Sequence, residues 1–126
     1  RSHFCCCLLH VTIFKALTLS QTSDVYRQGF ATALREMARH LEEKGFGYDR
    51  WAFYPYDEPW LTGFTMIPAL RAFCERVRAA DPNARIYTDP AGLVRVEYVA
   101  EFKDLIDIWQ PEMNILKRAP ELVRWF

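Results

Sequence analysis

Two adjacent carboxylates, Asp57 and Glu58, stand between Pro55 and Pro59 inside the run Tyr54-Pro55-Tyr56-Asp57-Glu58-Pro59-Trp60. Neighbouring acids in different surroundings can divide acid chemistry between them, one staying charged while the other carries the proton to be donated. The rings of Tyr54, Tyr56 and Trp60 offer apolar faces of the kind that stack on sugars. Proline and aspartate are also ordinary turn residues, so the same run can be a plain surface turn. The elements on either side have to separate these two readings.

Immediately before the acids, Arg50-Trp51-Ala52-Phe53-Tyr54 is too short for a helix, is rich in aromatics, and lies between Gly47 and Pro55. This predicts a strand, with the acidic pair just past its carboxyl end. Upstream, Ser23 or Asp24 can cap a helix whose apolar stripe is Phe30, Leu34, Met37, Ala38 and Leu41, at spacings of three and four. Lys44 and Gly45 close it, with Phe46 available for a hydrophobic contact beyond the cap, and His40 reads as a surface or packing residue. Downstream, Thr62 or Thr65 can open a second helix with the stripe Ile67, Leu70, Phe73, Cys74 and Val77. Pro68 fits only in its first turn, and Asp81-Pro82-Asn83 ends it.

The remainder repeats the pattern. Arg85 to Thr88 predicts a strand followed by the loop Asp89-Pro90-Ala91-Gly92, and a helix is expected over roughly Glu97 to Leu105. Ile106 to Trp109 predicts another strand with the loop Gln110-Pro111-Glu112, and two helical pieces broken by Pro120 complete the chain. Strands and helices in regular alternation specify an α/β fold with a parallel sheet, because each helix returns the chain to start the next strand in the same direction. Sites in such sheets are built from loops at the carboxyl ends of strands. Asp57-Glu58-Pro59, Asp89-Pro90 and Pro111-Glu112 all fall there and are expected to share one rim. No G-x-G-x-x-G and no G-x-x-x-x-G-K-[ST] follows any strand, so a nucleotide site has no support. An eight-stranded (β/α)8 TIM barrel takes about 250 residues, so three or four βα units make this chain roughly half of one, a fragment.

Composition narrows the partners. The chain has 126 residues, 51% hydrophobic, with 16 basic and 16 acidic side chains, which argues against a nucleic-acid surface or a polybasic membrane patch. The aromatic share of 15% suits either a packed core or sugar stacking. Cys5, Cys6 and Cys7 are consecutive and Cys74 lies in a helical stripe, so neither a zinc site nor a disulfide scaffold is expected; Cys74 reads as a small buried hydrophobe. No cofactor is called for. Residues 1–20 form an apolar segment with no firm assignment, and residues 21–126 form the expected partial barrel. The segment lacks the cleavage pattern of a signal peptide and the length of a membrane span, and His10 to Phe14 has the β-branched character of a strand.

These residues carry a family resemblance. Tyr48 to Trp60, an aromatic strand leading into Tyr-Pro-Tyr-Asp-Glu-Pro-Trp, resembles the catalytic segment of glycoside hydrolase family 123. Asp81 to Asp89 and Leu105 to Pro111 resemble the next two strands of that barrel, so that the likeness runs from Ser23 to Pro111. The resemblance implies a retaining β-N-acetylgalactosaminidase in which the substrate's own 2-acetamido group is the nucleophile. Asp57 would then orient that group and Glu58 would protonate the leaving oxygen and later activate water. Tyr54, Tyr56, Trp60 and Trp109 are candidate walls for a carbohydrate substrate, and Asp89 and Glu112 are candidate partners for its hydroxyls. Two alternatives stand beside this: a two-carboxylate retaining glycosidase with Glu112 as nucleophile, and a non-catalytic carbohydrate-binding or structural fragment. Export is expected only if the full-length protein carries a signal peptide.

Overall fold

The computed structural model describes residues 5–7, 23–61, 65–92 and 94–125. Helix α1 spans Asp24–Glu43. Ser23 is its N-cap, its Oγ accepting the Tyr26 amide at 3.2 Å, and Asp24 places a negative charge in the first turn. Its buried stripe is Tyr26, Phe30, Leu34 and Ala38, with Met37 and Leu41 partly buried beside it. At the other end Lys44 is the C-cap and Gly45 takes φ of +83°, the left-handed turn that a side chain resists. The Gly45 amide donates to Glu42 and the Phe46 amide to Leu41, both at 2.9 Å, the paired bonds of a Schellman cap.

Strand β1 (Cys5–Cys7) pairs in parallel with β2 (Trp51–Phe53), Cys5 opposite Trp51 and Cys7 opposite Phe53. Helix α2 (Ile67–Ala80) leads to β3 (Tyr87–Thr88), and α3 (Val96–Phe102) to β4 (Ile108–Trp109), which pairs in parallel with β3. A single parallel bridge, Phe53 to Ile86, joins the two pairs, and the Phe53 amide donates to the Arg85 carbonyl at 2.8 Å. The strands thus lie in chain order, β1-β2-β3-β4, all parallel, as expected of an α/β fold. Helix α4 (Met113–Arg118) and a 3-10 helix (Pro120–Trp125) follow β4.

Packing explains the arrangement. All of β2 is buried, the pattern of a parallel strand covered on both faces, which is why its sequence is continuously apolar. Phe73 on α2 meets Phe30 on α1 edge-on at 6.0 Å and Phe53 on β2 at 6.2 Å, so one ring ties two helices to the sheet. Leu70, Cys74 and Val77 complete the buried face of α2 at zero exposure, Cys74 as the small hydrophobe expected of it. Its thiol is pushed up to about 12, chiefly by burial. His40 is exposed.

Polar groups lock the amino ends of the strands. The Arg78 guanidinium donates to the carbonyls of Pro82, Ala84 and Leu105 and forms an ion pair with Asp107, whose Oδ2 also accepts the Ile86 amide at 2.7 Å. This clamp holds α2 to the starts of β3 and β4. Nearby, the buried Asp81 accepts the Asn83 amide and the Tyr48 hydroxyl, and the latter bond foremost pushes the Tyr48 phenol up to about 12.

Several sequence expectations change in detail. The strand beside β2 is Cys5–Cys7, whereas the run His10 to Phe14 lies outside the described residues. Thr62 also lies outside them, and Thr65 does not cap α2: Met66 holds the N-cap position and no side chain bonds the free amides there. Pro68 does sit in the first turn, where an amide has no helical partner anyway. The expected helix over 97–105 ends at Phe102, because the amides of Leu105 and Ile106 both return to the Phe102 carbonyl in a closing turn. No described helix is long and apolar enough to cross a membrane.

Candidate functional site

The acidic loop begins where β2 stops. Pro55 has no amide to continue a ladder, so the chain leaves the sheet and Tyr54 to Trp60 cross its carboxyl end. Asp89 starts the corresponding loop after β3, which brings it beside the loop after β2 although 31 positions separate it from Glu58. The Tyr54 hydroxyl lies 2.6 Å from Asp57 Oδ1 and 2.6 Å from Asp89 Oδ2. A phenol has one proton and donates to one carboxylate at a time, so the two acids compete for it. Burial first, then the two hydrogen bonds, push the Tyr54 phenol well above its ordinary value. Tyr87, at the start of β3, packs edge-on against the Tyr54 ring at 5.0 Å and holds it in place.

The other oxygen of Asp89 reaches the second acid. Asp89 Oδ1 accepts the backbone amide of Glu58 at 3.2 Å. Glu58 has φ of +42°, the only positive value at a non-glycine among the described residues. A non-glycine in this region stores about 1–3 kcal/mol and persists only when its surroundings fix it. Here Asp89 fixes the amide, and the Glu58 carbonyl accepts the Leu61 amide at 2.9 Å in a closing turn. Asp57 is exposed at the rim and Glu58 is half-buried.

The remaining candidates divide into two groups. Trp60 is only 4% exposed and packs against Phe102 at 5.8 Å and Trp109 at 6.0 Å. Its indole Nε1 and the Thr88 hydroxyl are buried without a hydrogen-bond partner among the described residues. Trp60 therefore belongs to the core, the half-buried Trp109 packs against it, and Tyr56 also leans on that core, its phenol raised by burial. Glu112 is at the rim, as expected of the loop after β4: its amide donates to Pro90 at 3.1 Å and its carboxylate accepts from Asn114 at 2.6 Å. With Leu61, Gly92, Asn114, Lys117 and Arg118 it lines an open pocket of about 460 Å³ that spans the loops after β2, β3 and β4. No described bond joins Glu112 to Asp57, Glu58 or Asp89.

A wider groove of about 860 Å³ runs between α1 and α2 under Arg27, Arg35 and Arg76, lined by helix residues and by none of the loop acids. No cluster of His, Cys, Asp and Glu among the described residues has the arrangement of a metal site. What sequence reasoning missed is the bridging part played by Tyr54 and Asp89. The only sequence-level signal for it is the repeated acid-proline loop after successive strands. No family model matches the chain, and no curated protein matches it.

Proposed function

We propose that the protein is a glycoside hydrolase of the β-N-acetylgalactosaminidase type, built on a (β/α)8 barrel of which this chain supplies part. One observation carries the reading: the adjacent acids Asp57 and Glu58 sit past the carboxyl end of β2 and are tied to Asp89 past the carboxyl end of β3, Asp57 through the shared Tyr54 hydroxyl and Glu58 through its backbone amide. Strand-end carboxylates opening on solvent are the equipment of glycosidic cleavage.

In this reading the substrate's 2-acetamido group attacks its own anomeric carbon. Asp57 orients that group and balances its developing positive charge, while Glu58 donates a proton to the leaving oxygen and then takes one from the incoming water. Tyr56 and the rim pocket beside Glu112 contact the sugar.

The test is release of the aryl group from an aryl β-N-acetylgalactosaminide by the full-length protein. Glu58→Gln should lower kcat by about 10² to 10⁴, the usual weight of a general acid and base. Full activity in that variant sinks the assignment. Cleavage of the acetamido sugar but not of the matching galactoside supports substrate assistance, and equal rates on both reject it.

A further inference from the structure

Resting on that reading, the geometry points to Asp89 as the positioning residue for both acids, acting through their orientation and not by touching the sugar. Its two oxygens face different ways. Oδ2 meets the Tyr54 hydroxyl, which in turn meets Asp57, and Oδ1 holds the Glu58 amide in a backbone conformation that glycine alone adopts freely. One carboxylate just past β3 thereby sets the direction of two carboxylates on the loop after β2. Both of its oxygens are engaged, whereas Asp57 has one side-chain hydrogen bond and an exposed side chain.

The chemistry of the bonds gives a discriminating pair of variants. Asp89→Ala removes both anchors. Asp89→Asn keeps an oxygen for the Glu58 amide and places an NH2 group against the phenol oxygen, which leaves the phenolic proton free for Asp57. A catalytic acid displaced by about 1 Å slows chemistry by about a hundredfold, and a loss confined to the transition state leaves ground-state binding intact. Asp89→Ala is therefore expected to lower kcat by about that factor with little change in KM, and Asp89→Asn to recover most of the loss. Equal losses in the two variants with a raised KM would mean that Asp89 binds the sugar itself, and wild-type kcat in Asp89→Ala would mean that it does nothing; either result overturns the proposal.

A second readout needs no activity. The Glu58 amide proton, followed by nuclear magnetic resonance, should move upfield in Asp89→Ala and stay near its wild-type position in Asp89→Asn. Tyr54→Phe, which removes the hydroxyl between Asp57 and Asp89 and spares the bond from Asp89 to Glu58, should leave that amide in place yet move the Asp57 carboxyl-carbon resonance at fixed pH. An unmoved Glu58 amide in Asp89→Ala, or an unmoved Asp57 carboxyl-carbon resonance in Tyr54→Phe, refutes the network. If the wild-type protein cleaves no aryl glycoside, the hydrolase reading fails while these resonances still decide whether Asp89 directs the two acids.

Discussion

At the scale of single residues, identity and neighbourhood give different answers. Trp60 beside two acids has the composition of a sugar platform, yet it is 4% exposed with its ring against Phe102 and Trp109. Burial was decided by helix α3 and strand β4, some 40 positions or more downstream, as the ring contacts to Phe102 and Trp109 record. Because the indole N–H has no partner among the described residues, Trp60→Phe loses no hydrogen bond to them. Denaturant titration should find it destabilised by less than about 1.5 kcal/mol, against about 3–5 kcal/mol for Trp60→Ala. A platform residue would instead leave stability unchanged and weaken sugar binding. The Tyr54 hydroxyl was equally illegible: the sequence marks Tyr54 as aromatic, but the partner 35 positions away at Asp89 emerges only when β2 and β3 lie side by side.

At the scale of elements, the pattern was most readable where local chemistry closes on itself. Helix α1 follows its sequence signals from Ser23 to Gly45 because each cap bonds to residues within about a turn of it and successive stripe residues are one turn apart. Substituting Gly45 by Ala forces a side chain into φ of +83°, so thermal unfolding should show a loss of about 1 kcal/mol. The strands were less readable. β2 was expected over 50–54 and holds only Trp51–Phe53, since the Arg50 amide turns back to Gly47 and Tyr54 turns toward the acids. β1 escaped notice because three cysteines have neither alternation nor β-branching; it is a strand by virtue of the partner it meets. The carboxyl-end rim was legible as a consequence of alternation, and the structure brings Asp57, Glu58 and Asp89 together there, with Glu112 on the same rim but unbonded to them.

For the whole molecule, protonation ties stability to the alkaline side. Cys74 is raised from 9.0 to about 12 and Tyr48 from 10.0 to about 12, and Tyr54 is raised as well. The folded chain keeps these protons where the unfolded chain has lost them. Their stabilisation is complete below pH 9.0 and is lost as the pH climbs through the folded values near 12. The denaturant midpoint should therefore fall across that window, and Cys74→Ala should flatten its lower part; a level profile would contradict the burial of the thiol. The two ends of the sheet meanwhile hold different kinds of bond. Arg78 and Asp107 fasten backbone carbonyls and amides at the amino ends, while the carboxyl ends carry side chains that bond mostly to one another. The fastening at the amino ends uses none of the rim acids, so those acids can be exchanged for others suited to a new substrate while Trp60, the core residue of the same loop, stays in place.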